Sequence, residues 1–223
     1  TVGGTTPKAR NIISGNAGNG ISIYETASGN LVQGNYIGTD VTGDAPLSNS
    51  SNGVVIAGAT PNNIIGGTAN GSRNVISSNG SYGVVLVDLG TTGNRVQGNY
   101  IGTNAGGNTS LGNGDAGIGI FDGAAYNLIG GTTAKARNII SNNGDNGVNI
   151  CCGGVTGNKI QGNFIGTDVT GTLAMGNIGN GVVIISGDTA NNIIGGTTSG
   201  AGNIIAYNTA NGVLLTADTG TGN

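Results

Sequence analysis

Gln97-Gly98-Asn99-Tyr100-Ile101-Gly102-Thr103 has two near copies in the chain, Gln33-Gly34-Asn35-Tyr36-Ile37-Gly38-Thr39 and Gln161-Gly162-Asn163-Phe164-Ile165-Gly166-Thr167, each displaced by 64 residues. A second motif, Ile-Gly-Gly-Thr, begins at Ile65, Ile129 and Ile194, and Val2 heads a variant of it. Fixed self-similarity at this length marks a repeat architecture. Each super-repeat divides into two related coils. Type A reads Asn-x-Ile-Gly-Gly-Thr, a short loop, Asn-x-Ile-Ser, then Gly-Val-x-Ile. Type B reads Asn-x-Val-Gln-Gly, Asn-x-Ile-Gly-Thr, a longer loop, then Gly-x-x-Ile. Coils open near residues 1, 30, 63, 94, 127, 158 and 192 and alternate A, B, A, B, A, B, A.

Every coil thus holds three short β-prone runs separated by Gly/Asn turns, and no run is long enough for a crossover helix. Such coils bury their aliphatic side chains by stacking, each strand pairing in parallel with its counterpart about 4.8 Å away. The two-residue period of a strand places Val84 and Leu86 inside and Val85 outside. It also places Ile65, Val96, Ile129 and Ile194, and Ile76, Ile101, Ile140 and Ile165, inside. The asparagines that open the second strand, Asn11, Asn35, Asn74, Asn99, Asn138, Asn163 and Asn203, fall in register and are expected to form a hydrogen-bonded ladder. Glycines at the corners supply positive φ. The expected fold is all-β, a parallel β-helix (β-solenoid) of about seven coils with three short strands each and uncapped ends, forming one domain over residues 1–223.

The motifs Ile-Gly-Gly-Thr, Arg-Asn-x-Ile-Ser and Gln-Gly-Asn-x-Ile-Gly-Thr resemble the right-handed parallel β-helix repeats of large bacterial secreted and surface proteins, and the resemblance covers essentially the whole chain. It implies an extracellular or cell-surface setting. Right-handedness follows from the resemblance and from the general preference of crossovers. That broad group includes pectin-active enzymes, adhesins and surface proteins, so the resemblance specifies architecture more sharply than activity.

Composition agrees with this reading. The 223 residues include 48 Gly, 3 Pro, no His and no Trp, with 8% charged and 36% hydrophobic residues. The regular Val/Ile/Leu runs argue against disorder, and the absence of a three-residue Gly period excludes collagen. A net charge of −3 with 7 Lys plus Arg lacks the basic footprint of a nucleic-acid binder. No apolar run approaches a membrane span. The chain does not begin with Met and shows no signal peptide, which suggests a mature or trimmed segment.

Carbohydrate cleavage on such a fold needs converging carboxylates or a carboxylate–base set. The outward positions of the first strand are Thr1, Leu31, Ile64, Arg95, Leu128, Lys159 and Ile193, and none is acidic. The ten acids, Glu25, Asp40, Asp44, Asp88, Asp115, Asp122, Asp145, Asp168, Asp188 and Asp218, are scattered at turns. No catalytic residue and no cofactor is expected. Asp40 and Asp168, each in Gly-Thr-Asp-Val-Thr-Gly, are weak calcium candidates, with Asn104 at the matching middle position; an Asp-initiated turn is the competing reading. Arg10, Arg73 and Arg137 recur before the second strand of A coils, with Gly202 breaking the series. They read either as corner donors to carbonyls or as a sparse polyanion-binding row. Thr39, Thr103 and Thr167, and separately Thr5, Thr68, Thr132 and Thr197, occupy corners on alternate coils only, a poor match to an ice-binding array.

The outward column of the second strand is apolar throughout: Ile12, Tyr36, Val75, Tyr100, Ile139, Phe164 and Ile204. Either the B-coil loops cover it or it forms a lateral interface. Cys151 and Cys152 are adjacent. Because neighbouring strand residues face opposite ways, Cys152 reads as a small core residue and Cys151 as a surface thiol. The ends lack polar caps, and joining Asn223 to Thr1 would regenerate the coil motif, which nominates Thr1, Val2 and Asn223 as end-stacking residues. The expected role is a structural filament subunit or surface stalk that stacks head to tail on itself, or a slice of a longer repeat protein. The alternative is a polysaccharide-binding or polysaccharide-cleaving β-helix, and ice binding is third.

Overall fold

The computed structural model describes residues 1–185, 188–216 and 221–223. Its 21 short strands form three seven-stranded sheets in which every neighbour is one coil away and every named pairing is parallel. The first sheet contains, in order, Val2–Gly3, Leu31–Gln33, Ile64–Gly66, Arg95–Gln97, Leu128–Gly130, Lys159–Gln161 and Ile193–Ile194. The second runs from Ile12–Ile13 through Tyr100–Ile101 to Ile204–Ile205, and the third from Ile21–Ile23 through Ile118–Phe121 to Val213–Leu215. Repeat positions pair with their own copies: Val96 lies between Ile65 and Ile129, Ile101 between Ile76 and Ile140, and Ile120 between Leu86 and Ile150. A solenoid of about seven coils is therefore the architecture.

Strand alternation sorts the side chains. The inner rows include Val32, Ile65, Val96, Ile129 and Ile160 from the first sheet and Ile37, Ile76, Ile101, Ile140 and Ile165 from the second, all fully buried. The third sheet adds two rows, one with Val84, Ile118 and Val148 and one with Leu86, Ile120 and Ile150. Together they form one continuous aliphatic core. Ile194, placed inside by its sequence position, is only partly buried, because it lies in the last described coil and nothing covers it. Val85 points outward yet is buried. It belongs to a small outer cluster with Val55 and Ala57, against which Tyr82, Val87 and Phe121 pack. No helix among the described residues is long and apolar enough to cross a membrane.

Corner glycines are set by close backbone approach. Gly102 has φ +89, and a Cβ there would overlap the carbonyl oxygen of Ser141 in the next coil. Gly18, by contrast, has open space where a Cβ would go and no positive φ. Gly102→Ala is therefore expected to lower stability by more than about 3 kcal/mol, whereas Gly18→Ala leaves it within about 0.5 kcal/mol. Denaturant midpoints of the two variants against the parent chain check this contrast.

Candidate functional site

The solenoid turns its corners on asparagine. At the entrance to the second strand, Asn99 Oδ1 accepts from the backbone N–H of Asn74 (3.2 Å) and from its Nδ2 (3.0 Å). Asn99 in turn donates from its backbone N–H to Asn138 Oδ1 (2.9 Å) and from Nδ2 to the Ile65 carbonyl (2.8 Å). The same pattern links Asn11, Asn35, Asn74, Asn99, Asn138, Asn163 and Asn203. Two further ladders run parallel to it. One passes through Asn30, Asn63, Asn94, Asn127, Asn158, Asn192 and Asn223 at the start of the first strand. The other passes through Asn16, Asn49, Asn79, Asn113, Asn143, Asn177 and Asn208 ahead of the third. Their signal in the sequence is the same recurrence, at spacings of 30–34 residues in both. A buried amide held this way satisfies backbone groups that the corner removes from the sheets.

The apolar outward column of the second sheet is covered. Tyr36, Val75, Tyr100, Ile139 and Phe164 are buried, and only the two outermost members, Ile12 (38%) and Ile204 (41%), are exposed. In B coils the chain beyond the second strand folds back as a small hairpin, closed by the antiparallel bridges Thr39–Pro46, Thr103–Ser110 and Thr167–Ala174. Gly43, Gly107 and Gly171 lie against the edges of Tyr36, Tyr100 and Phe164, so close that a Cβ would come within 2.8 Å of each ring. Arg10, Arg73 and Arg137 stack their guanidinium groups on the same rings at 4.0, 4.0 and 3.9 Å from the centroids. Each donates Nε–H to the carbonyl of Gly34, Gly98 or Gly162 in the following coil, at 3.2, 3.3 and 3.2 Å. The column therefore offers no continuous lateral interface along its inner members. The loops and arginines have taken that face.

The same hairpins explain Asp40 and Asp168. Asp40 Oδ1 accepts from the Thr42 hydroxyl and from the backbone N–H groups of Gly43, Asp44 and Ala45. The Thr42 hydroxyl leads in holding its carboxyl below the usual carboxylate range, against a smaller opposing effect of burial. For Asp168, burial pushes the carboxyl up, but the N–H of Leu173, the Thr170 hydroxyl and the N–H of Thr172 together bring it down to about 2. Both carboxylates are ringed by N–H and O–H donors, the opposite of the oxygen cage that a calcium ion needs. Asn104 does the equivalent work in the middle repeat, accepting from the N–H groups of Asn108 and Thr109. Thr39, Thr103 and Thr167 are fully buried and present no hydroxyl array, while Thr5, Thr68, Thr132 and Thr197 are exposed on alternate coils.

Two expectations need correction or placement. Cys151 and Cys152 are joined in a disulfide, so neither is a free thiol. Cys151 ends its strand and is buried, whereas Cys152 has left the strand with φ 70 and is half-buried, not a core residue. The alternation rule fails here because it holds only while the backbone stays extended. Asp218 lies outside the described residues. Among those residues, no three His, Cys, Asp or Glu side chains form a group. Thr1 and Val2 sit on the first coil, with Val2 paired to Val32. Asn223 Oδ1 accepts from Asn192 and its Nδ2 donates to the Thr189 carbonyl, so it opens an eighth coil.

No family model matches the chain, and no curated protein matches it. Among solved structures, the periplasmic alginate epimerase AlgG aligns with 92% of this chain at 14% identity and a TM-score of 0.43. The alignment takes in 36% of that protein, so this chain spans about a third of its length.

Two outcomes follow from the ladder and the hairpins. Asn99→Ala strands the Asn74 donors and the Ile65 carbonyl, and is expected to cost more than about 3 kcal/mol, with each buried polar group left unpaired costing about 1–3 kcal/mol. Asn203→Ala in the last described coil costs less; denaturant titration of both variants checks the order. The folded Asp168 carboxyl titrates below its unfolded value of about 3.9. Its stabilisation is thus fully present above about pH 4 and disappears as pH falls toward about 2. Asp168→Asn keeps the acceptor, as Asn104 does, and should flatten this acid limb while leaving stability at pH 7 nearly unchanged. Thermal unfolding from pH 7 to pH 2 is the measurement.

Proposed function

We propose that this chain is a structural segment of an extracellular or cell-surface β-solenoid, acting as a filament subunit or stalk that lengthens coil upon coil, without catalysis of its own. The observation that carries this reading is the common polarity of the three asparagine ladders. In the first described coil, Asn11 and Asn16 spend their amide N–H groups on the next coil, and their amide oxygens point away from it. In the seventh, Asn203 and Asn208 accept from the coil before and donate Nδ2–H to the carbonyls of Ile160 and of Ile165 and Ala206, without the onward bond to a following coil that the inner members make. A further coil, from the same polypeptide or from a second copy, meets donors with acceptors in register. The end face also carries Val213 (43%) and Leu215 (47%), exposed although they occupy core rows. Burial of such a face by another coil is favourable at about 25 cal/mol per Å² of apolar area.

The scatter of the carboxylates supports the non-catalytic part of the reading, since hydrolysis and elimination both need groups that converge on one bond. The Cys151–Cys152 disulfide suits an oxidising compartment. Electron microscopy and sedimentation of the purified chain test the proposal. Rods that lengthen with concentration in steps of about 34 Å, seven coils at about 4.8 Å each, are expected. Val213→Asp with Leu215→Asp should return them to single particles. Dispersed particles of the parent chain at every concentration argue against self-assembly. Release of reducing ends or unsaturated products from a polyuronide argues against the non-catalytic role.

A further inference from the structure

The charges of this acidic chain are sorted in space. Of its 7 basic side chains, Lys8, Arg10, Arg73, Lys135 and Arg137 all lie at the corner between the first and second strands of A coils, with Arg95 and Lys159 on the first sheet. Lys8 and Lys135 stand exposed in the single 3₁₀ turns Pro7–Ala9 and Ala134–Ala136. No ion pair joins any Lys or Arg to a carboxylate among the described residues. The carboxylates nearest in the fold, those of the B-coil hairpins, are already engaged. Asp40 and Asp168 face their own loop donors, and Asp44 Oδ1 accepts from Asn104 Nδ2 at 2.9 Å. The remaining described acids flank the third strand.

At this corner the surface is grooved. A cavity of about 330 Å³ is lined by Arg10, Arg73 and Lys135 together with the small residues of the turn 69–72 and Tyr36. The three arginines of the row arrive pre-oriented. The ring fixes the plane of each guanidinium and the Nε bond fixes its rotation, while no described group binds the Nη atoms. Four of the five guanidinium N–H donors are thus left for a ligand, and little side-chain freedom remains to be lost on binding. Successive arginines are two coils apart, about 9.6 Å, with a lysine beside the first and third.

We infer that this corner groove binds a linear carboxylated polysaccharide lengthwise along the solenoid, with the arginine forks taking carboxylates and Lys135 adding a screened charge. The inference stands apart from the structural role proposed above, since neither self-assembly nor its absence bears on it. A nucleic acid fits the surface less well. The rings at this corner are buried beneath the guanidiniums and cannot stack on bases.

Binding of the full chain to polygalacturonate at low ionic strength, measured against its fully methyl-esterified form and against duplex DNA, tests the inference. At least tenfold preference for the free acid is expected, falling steeply by about 0.5 M salt. Lys135→Gln, which touches neither the core nor a ring, should weaken binding several-fold. Arg73→Gln should weaken it further, and Arg73→Lys should restore only part because the fork is lost. Arg95→Gln with Lys159→Gln, on the first sheet, should leave binding unchanged. Equal affinity for the methyl ester, equal or tighter affinity for DNA, or full binding by Lys135→Gln and a folded Arg73→Gln would each overturn it.

Discussion

The structure depends on one recurring arrangement, a buried asparagine amide that receives two hydrogen bonds from the coil before it and gives two away, one to the coil after. A solenoid corner takes backbone N–H and C=O groups out of the sheets and leaves them under the surface, where an unpaired group is costly. Asparagine answers this because its amide carries both a donor and an acceptor on a side chain short enough to reach only the adjacent coil. Asn74, Asn99 and Asn138 show the consequence, as each oxygen is shared by a backbone N–H and a side-chain N–H of its predecessor. Coil spacing and register are fixed together, and a coil that slipped by one residue would break three ladders at once.

The alternation of A and B coils follows from what the corners must then cover. Each B coil places an aromatic ring, Tyr36, Tyr100 or Phe164, on the outer face of the second sheet and lets its own hairpin close over it. Each A coil places an aliphatic residue there, and the first three send an arginine onto the ring of the following B coil. The two coil types are therefore not interchangeable. The arginine of one needs the ring and the glycine carbonyl of the next, which is why the sequence repeats strictly at the level of the pair.

This arrangement separates rigidity from surface chemistry. The ladders and the core engage the asparagines and aliphatic residues, the hairpin donors engage Asp40 and Asp168, and the groups left with unused hydrogen-bonding capacity at the A-coil corner are cationic. The basic groups thus form a sparse stripe along one corner of a body whose other polar groups are largely engaged.

The repeat, the three strands per coil, the inner rows and the Asn11-to-Asn203 ladder were all legible in the sequence. They depend on local periodicity, and stacking identical coils converts that periodicity directly into contacts. What covers the outer column was not legible. Covering Tyr100 requires the hairpin beyond Thr103, the glycine Gly107 and the distant Arg73 to meet; each recurs with the 64-residue repeat, but recurrence alone does not say that they meet over one ring. The Cys151–Cys152 bond escaped for a related reason: it depends on where the strand stops, a matter of one backbone angle at Cys152. Sequence determined how the coils stack because that is a nearest-neighbour property of a repeat. Tertiary structure alone decided which surface groups remain free, because that depends on loops folding across coils to places the repeat does not specify.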